Sequence, residues 1–258
     1  MYGISLVCFA TSYTAALGLE VWRQFRPRRI LYLLGVLFGA AGLATQSVYL
    51  AFQRPVGWML ILAWVLAIFY LYGALHYQRL AWGVFVLPVI LGLLGLSLLF
   101  GPEADQLSLP DANRFWGWVH ATLLLLAAVG VCVGFCASLM YLFRAWQLRA
   151  KTLPGRGLRL PSLERLEQMN RRAIDWSFPL LTAGVVIGLF LMIQHPLTAW
   201  TDPRVLSTAV LWLTFLVMVV LRYGWHLRGR LVALLTIAAF LLLVCCLILG
   251  HSLGGGPS

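Results

Sequence analysis

Charge is what this sequence lacks most. Of its 258 residues 10% are charged, and only 8 of them are acidic. A water-soluble globule must cover its outside with polar groups, and ordinary chains carry about 25% charged residues for that purpose. Here 62% of the residues are apolar and the mean hydropathy is +0.89, a composition suited to lipid. The scarcity of carboxylates also removes chemistry. There is no H-E-x-x-H helix, no phosphate-cradling glycine loop and no Ser/His/Asp set, so soluble-enzyme chemistry has no residues to run on. Glu20 is the one acid inside an apolar run, which argues against a transporter driven by a mid-membrane carboxylate. Cysteine is scarce as well. Cys8, Cys132, Cys136, Cys245 and Cys246 all lie in apolar stretches and form no C-x-x-C pair, which disfavours redox and zinc roles.

What the chain does have is long apolar runs. They cover Tyr2–Trp22, Ile30–Phe52, Val56–His76, Trp82–Gly101, Trp118–Phe143, Trp176–Gln194, Val205–Leu221 and Leu231–Gly250. A membrane-spanning helix needs about 20 such residues. The expected fold is therefore an all-α integral membrane protein of eight transmembrane helices, one transmembrane domain over residues 1–258. The first run sits where a signal peptide would, but it lacks a basic leader, carries Glu20 and is followed by arginines, so it reads as a helix. Of the 19 basic residues, only Arg54, Arg114 and Arg204 fall between helices 2–3, 4–5 and 6–7; all others lie in the alternate connections. The positive-inside rule then puts both termini outside, N-out and C-out. A net charge of +11 raises the question of nucleic acid. Because the basic residues flank spans, topology and attraction to anionic lipid account for them, and no nucleic-acid partner is expected. A bacterial inner membrane, crossed several times, is the simplest setting.

Two connections are long. The outer one, Pro102–Phe115, is mildly acidic through Glu103, Asp105 and Asp111. The inner one, 144–175, is basic, and its second half has the pattern of a short amphipathic helix on the cytoplasmic surface. Pro161-Ser162 supplies a start, and Leu163, Leu166, Met169, Ala173 and Ile174 recur opposite Arg165, Arg171 and Arg172. Gly35 with Gly39, Gly130 with Gly134 and Gly184 with Gly188 stand four apart, the spacing that lets helices pack closely. Pro88 and Pro179 interrupt spans and are expected to kink them. Glu20, beside Arg23 near the inner end of helix 1, reads as a paired boundary charge.

Histidines remain. His76 and His226 end helices 3 and 7 on the inner side. His120 lies just inside the outer end of helix 5, His195 follows helix 6, and His251 closes helix 8, so three histidines gather near the outer face. Two readings fit. Facing imidazoles can hold a haem iron between helices, with Trp116, Trp118 and Trp200 as flat apolar walls. Equally, the tryptophans can form an ordinary interfacial belt, with the histidines as boundary residues.

From Trp116 onward the chain resembles the cytochrome c assembly family, the CcsA/ResC and HemX-like membrane proteins. His120 precedes a helix ending Ser138-Leu139-Met140-Tyr141-Leu142, similar to a family helix with its outer histidine. Leu160-Pro161-Ser162-Leu163-Glu164-Arg165-Leu166 resembles an inner L-P-S-L-E segment. Asp175-Trp176-Ser177-Phe178-Pro179-Leu180-Leu181-Thr182-Ala183-Gly184 resembles G-F-P-L-L-T-x-G at the start of a helix. Asp202-Pro203-Arg204, Trp212 and Trp225-His226-Leu227-Arg228-Gly229-Arg230 resemble D-P-K, an aromatic helix and G-W-R-G-R. The likeness covers about residues 116–250, helices 5–8, while helices 1–4 over residues 1–115 match only as apolar segments. The family's tryptophan-rich outer loop is reduced here to Trp200, Asp202, Pro203 and Arg204, with Val205 in place of a glutamate, which brings the chain closer to the HemX-like branch.

The resemblance implies a membrane protein of cytochrome c biogenesis that binds or relays haem, b-type and non-covalent, near the outer face for delivery to apocytochrome c. His120 would ligate the metal, with His195 or His251 as partner. Trp200 would line the haem edge beside Asp202, and Arg204 or Arg114 would meet a propionate. Another cytochrome c maturation subunit would supply any attachment chemistry. The alternative is a HemX-like, non-catalytic membrane regulator or assembly factor acting through the basic inner connection.

Overall fold

The structure is a computed structural model and describes residues 6–52, 57–78, 80–100, 111–150, 158, 160–194, 203–224 and 229–252. Eight helices account for almost all of them: α1 Leu6–Phe25, α2 Arg29–Phe52, α3 Trp58–His76, α4 Trp82–Phe100, α5 Asp111–Arg149, α6 Leu163–Gln194, α7 Pro203–Tyr223 and α8 Arg230–Ser252. No strand occurs among the described residues. In hydrocarbon each backbone N–H and C=O needs a partner inside its own segment, and the helix provides it.

Among the described residues seven helices, α2 to α8, are long and apolar enough to cross a membrane. The first expected span, α1, falls short of that measure. Thr11, Ser12, Tyr13, Thr14, Glu20, Arg23 and Gln24 dilute its apolar content. Side chains facing away from the protein include Leu37, Phe52, Leu99, Trp176 and Ile193, all exposed as a lipid-solvated surface requires.

The chain divides into two compact units, the first holding α1–α4 with the end of α5 from Phe143, the second holding α5 up to Leu142 with α6, α7 and α8. In the first unit α1 packs on α2 and α4, and α3 lies against α2 and α4. Its core is apolar around Phe9, Ala16, Leu62, Leu66, Leu87 and Ile90, and set into it are two bonded polar pairs, Tyr13 with Gln46 and Glu20 with Arg23. The Tyr13 hydroxyl donates to Gln46 Oε1 at 2.8 Å, and Gln46 Nε2 donates to the Leu60 carbonyl at 3.1 Å. Glu20 is paired as expected, through Arg23 Nη2 at 2.8 Å, but the pair is not wet: Glu20 is 2% exposed. Gly83 lies so close that a Cβ there would come within 2.9 Å of Glu20 Cγ, so the helix can pass only because the side chain is missing. Arg23 also donates to the carbonyls of Gln78 and Leu80 at 2.8 and 3.1 Å, tying α1 to the α3–α4 connection.

The inner connection departs from expectation. A helix does start at Leu163, directly after Ser162, but it does not end before the next span. It runs unbroken through Pro179 to Gln194, so the amphipathic segment is the first part of α6 and not a separate short helix. Its inward residues Leu166, Asn170, Ala173, Ile174 and Ser177 are all buried, which anchors a stretch whose other side is charged. At 1.5 Å per residue, the 32 residues of α6 reach about 48 Å and the 39 of α5 about 58 Å. Both exceed the roughly 30 Å hydrocarbon layer and must project beyond it.

Candidate functional site

In the second unit the contacts fix an antiparallel order. On α5 and α6, His120 meets Gly188, Leu124 meets Gly184, Gly130 meets Ser177 and Gly134 meets Ala173, with one index rising as the other falls. Two of the three glycine pairs singled out in the sequence, Gly130 with Gly134 and Gly184 with Gly188, thus line the seam between these helices, whereas Gly35 and Gly39 on α2 face α1 and α3. On α6 and α7, Trp212 Nε1 donates to Thr182 Oγ1 at 3.0 Å and stacks near Phe178 at 6.2 Å, while Tyr223 donates to Asp175 at 2.7 Å. On α5 and α8, Phe135 stacks on Phe240 with centroids 3.9 Å apart. The start of α5, the end of α6, the start of α7 and the end of α8 therefore share one end of the unit.

His120 stands near that end, in the third turn of α5, and is half-buried. Its Nδ1 lies 2.7 Å from the backbone oxygen of Gly184 on α6. A carbonyl can only accept, so this bond requires the proton on Nδ1, and in the neutral ring Nε2 then keeps its lone pair. Nε2 has no hydrogen-bond partner among the described residues. The ring rests on Gly188, where a Cβ would come 2.7 Å from Cε1 and 3.1 Å from Nδ1. Trp116 lies one turn before His120 on the same stripe of α5 and is 44% exposed. Trp118, 61% exposed, faces away from that stripe, as two residues of helix turn by about 200°.

The other sequence candidates are placed less fully. His251 is in the last turn of α8. His120 precedes Gly134, and His251 follows Thr236, by about four turns each (3.6 residues per turn). Gly134 and Thr236 touch, so the register carries the backbone of His251 to the level of His120. Arg204 is in the first turn of α7, at the same end. Arg114 is in the first turn of α5. His195, Trp200 and Asp202 lie outside the described residues. Among the described residues no group of three or more His, Cys, Asp or Glu could cage a metal ion.

A second polar feature occupies the opposite end of the unit, and sequence reasoning did not find it. Asn170, 4% exposed, donates from Nδ2 to Ser138 Oγ at 2.7 Å, to Thr236 Oγ1 at 3.0 Å and to the Gly134 carbonyl at 3.3 Å. Its Oδ1 accepts from Arg222 Nη1 at 3.3 Å, and Arg222 Nη2 donates to the Glu167 carbonyl at 3.3 Å. Four helices, α5 to α8, thus meet at one amide. The signal available beforehand was only that Asn170 shares a helical stripe with Leu166, Ala173 and Ile174.

The sequence model of the family described as Cytochrome C assembly protein matches residues 54–256. That match begins well ahead of Trp116, where the quoted motifs start. Cytochrome c biogenesis protein CcsA of Synechococcus sp. (strain JA-2-3B'a(2-13)) is 26% identical over 260 residues, covering 77% of this chain and 73% of that protein. CcsA of Guillardia theta is 24% identical over 193 residues, 67% of this chain and 64% of that protein. Protein HemX of Bacillus subtilis (strain 168) is 25% identical over 127 residues, 49% of this chain and 46% of that protein. No solved structure matches the chain.

Proposed function

The chain belongs to the cytochrome c assembly protein family, and from that membership and the His120 geometry we propose that it binds or relays haem for delivery to apocytochrome c. It is a multi-pass membrane protein, and the proposed orientation is N-out and C-out, with α1 as an eighth span held in place by the Glu20–Arg23 pair. The site then lies near the outer face.

The observation that carries this reading is the bond from His120 Nδ1 to the Gly184 carbonyl, at 2.7 Å. It leaves Nε2 bare, which is the state an axial ligand needs. The donor set suits haem better than a bare ion. A porphyrin brings four nitrogen ligands with its iron, so one or two imidazoles complete the coordination. His120 would be the first ligand, and His195 or His251 the second. Trp200 would line the edge, and Arg204 or Arg114 would meet a propionate. The haem would be b-type and non-covalent. What the chain itself contributes is ligation, orientation and an apolar wall; a second maturation subunit would dock the apocytochrome and complete attachment.

Cells lacking this chain test the reading. Wild type should restore haem-stained cytochrome c, whereas His120→Ala should restore less than about a tenth, the size of effect seen when a metal site is disturbed. Full restoration by a His120→Ala protein present at wild-type level would overturn the haem role. The match to HemX over about half the chain favours a second reading, a membrane regulator acting through the basic inner stretch 144–175. Glutamine at the exposed Arg165 and Arg172 separates the two, because a relay keeps its haem and a regulator loses its effect with no spectral change.

A further inference from the structure

We infer that Gly188 is a positioning residue for His120: lacking a side chain, it opens the Gly184 carbonyl to the imidazole, which fixes the proton on Nδ1. The consequence for a ligand on Nε2 rests on the haem reading above; the tautomer itself does not.

A helix carbonyl already accepts from the N–H four residues on. Each Cα–Cβ bond tilts toward the helix N-terminus, so the side chain at position 188 would lie over the turn that holds Gly184. Glycine at 188 leaves that turn bare. His120 fills the vacancy, its Cε1 and Nδ1 at 2.7 and 3.1 Å from where a Cβ would stand, and reaches the Gly184 oxygen at 2.7 Å. The contact is with a rigid ring whose bond to the neighbouring helix fixes its place, so an alanine methyl must push the ring off the carbonyl. Gly184 is different. A Cβ there would meet Leu124 Cδ2 at 2.7 Å and Cγ at 3.2 Å, in a flexible side chain, and then Leu123 Cβ at 3.6 Å, with no atom of His120 nearer than these. Alanine keeps the same carbonyl. The two glycines of one seam therefore have separable roles: Gly184 supplies an acceptor that any residue supplies, and Gly188 supplies access to it.

The test uses the full chain in detergent, free of haem and labelled with 15N-histidine, with His120→Gln to assign the signal. A protonated imidazole nitrogen and a bare one are resolved by their shifts. Wild type and Gly184→Ala should show His120 protonated on Nδ1 and bare on Nε2, and Gly188→Ala should lose that preference. A titration with hemin should then find Gly188→Ala weaker by roughly 10- to 100-fold, as for the loss of an outer-shell partner of a metal-ligating histidine, with Gly184→Ala close to wild type. A wild-type His120 protonated on Nε2, or equal behaviour of the two alanine variants, would overturn the inference. Should Gly188→Ala not fold, the wild-type tautomer still decides. Absence of hemin binding by wild type would count against the haem reading and leave the tautomer result standing.

Discussion

Asn170 measures how much one amide can hold together in an apolar interior. Its two amide hydrogens are shared among three acceptors on α5 and α8, and its oxygen receives a guanidinium from α7. Polar contacts between membrane helices are usually modest, near 0.6 kcal/mol each. Here a charged partner raises the stakes, since Arg222 is 8% exposed and would lose its side-chain acceptor. Asn170→Leu is expected to lower stability by about 2 to 3 kcal/mol, the range for a hydrogen bond to a buried charge, read as an earlier unfolding midpoint in a denaturing-detergent titration. Adding Arg222→Met should recover part of that loss, because the stranded cation is then gone. Additive losses would mean that the two side chains act independently.

The helices themselves were largely legible, because a span needs only length and apolar content, and seven of the eight expected runs meet that measure. The seam glycines were legible too, since a pair four apart lies on one stripe. The joining of the amphipathic segment to α6 was not. The stripe through Ala173 and Ile174 reads equally well as one lying on the membrane surface, and nothing local reveals that with Asn170 it faces a core built by other helices. Pro179 does not end the helix either: a proline inside a helix costs only the bond to Asp175 and room in the preceding turn, which packing can offset. His120 was legible as an ionisable group in a span; its acceptor, Gly184, was not, because a backbone carbonyl leaves no trace in residue type. Orientation belongs to this scale as well. Lys151, Arg156 and Arg159 lie between α5 and α6, flanked by Arg144, Arg149, Arg165, Arg171 and Arg172, so a cysteine placed there, in a chain stripped of its own cysteines, should resist a membrane-impermeant maleimide in intact cells. A cysteine in the α6–α7 connection should react. The reverse pattern would turn the protein over and put His120 on the wrong side for the proposed delivery.

At the scale of the whole molecule, two units divide a chain with few charges and almost no acids. The first buries Glu20 against Arg23, and the second carries His120, whose Nε2 has no hydrogen-bond partner among the described residues. The family model spans parts of both, from residue 54 to 256. The proposed function requires that this second unit ligate haem through His120. The direct measurement is an absorption spectrum of the purified protein, expressed with ample haem, beside His120→Ala with and without added imidazole. A Soret band in wild type that is weakened or shifted in the variant and recovers with imidazole is the predicted result. No band in wild type after hemin is supplied, or the same band in His120→Ala, would contradict it.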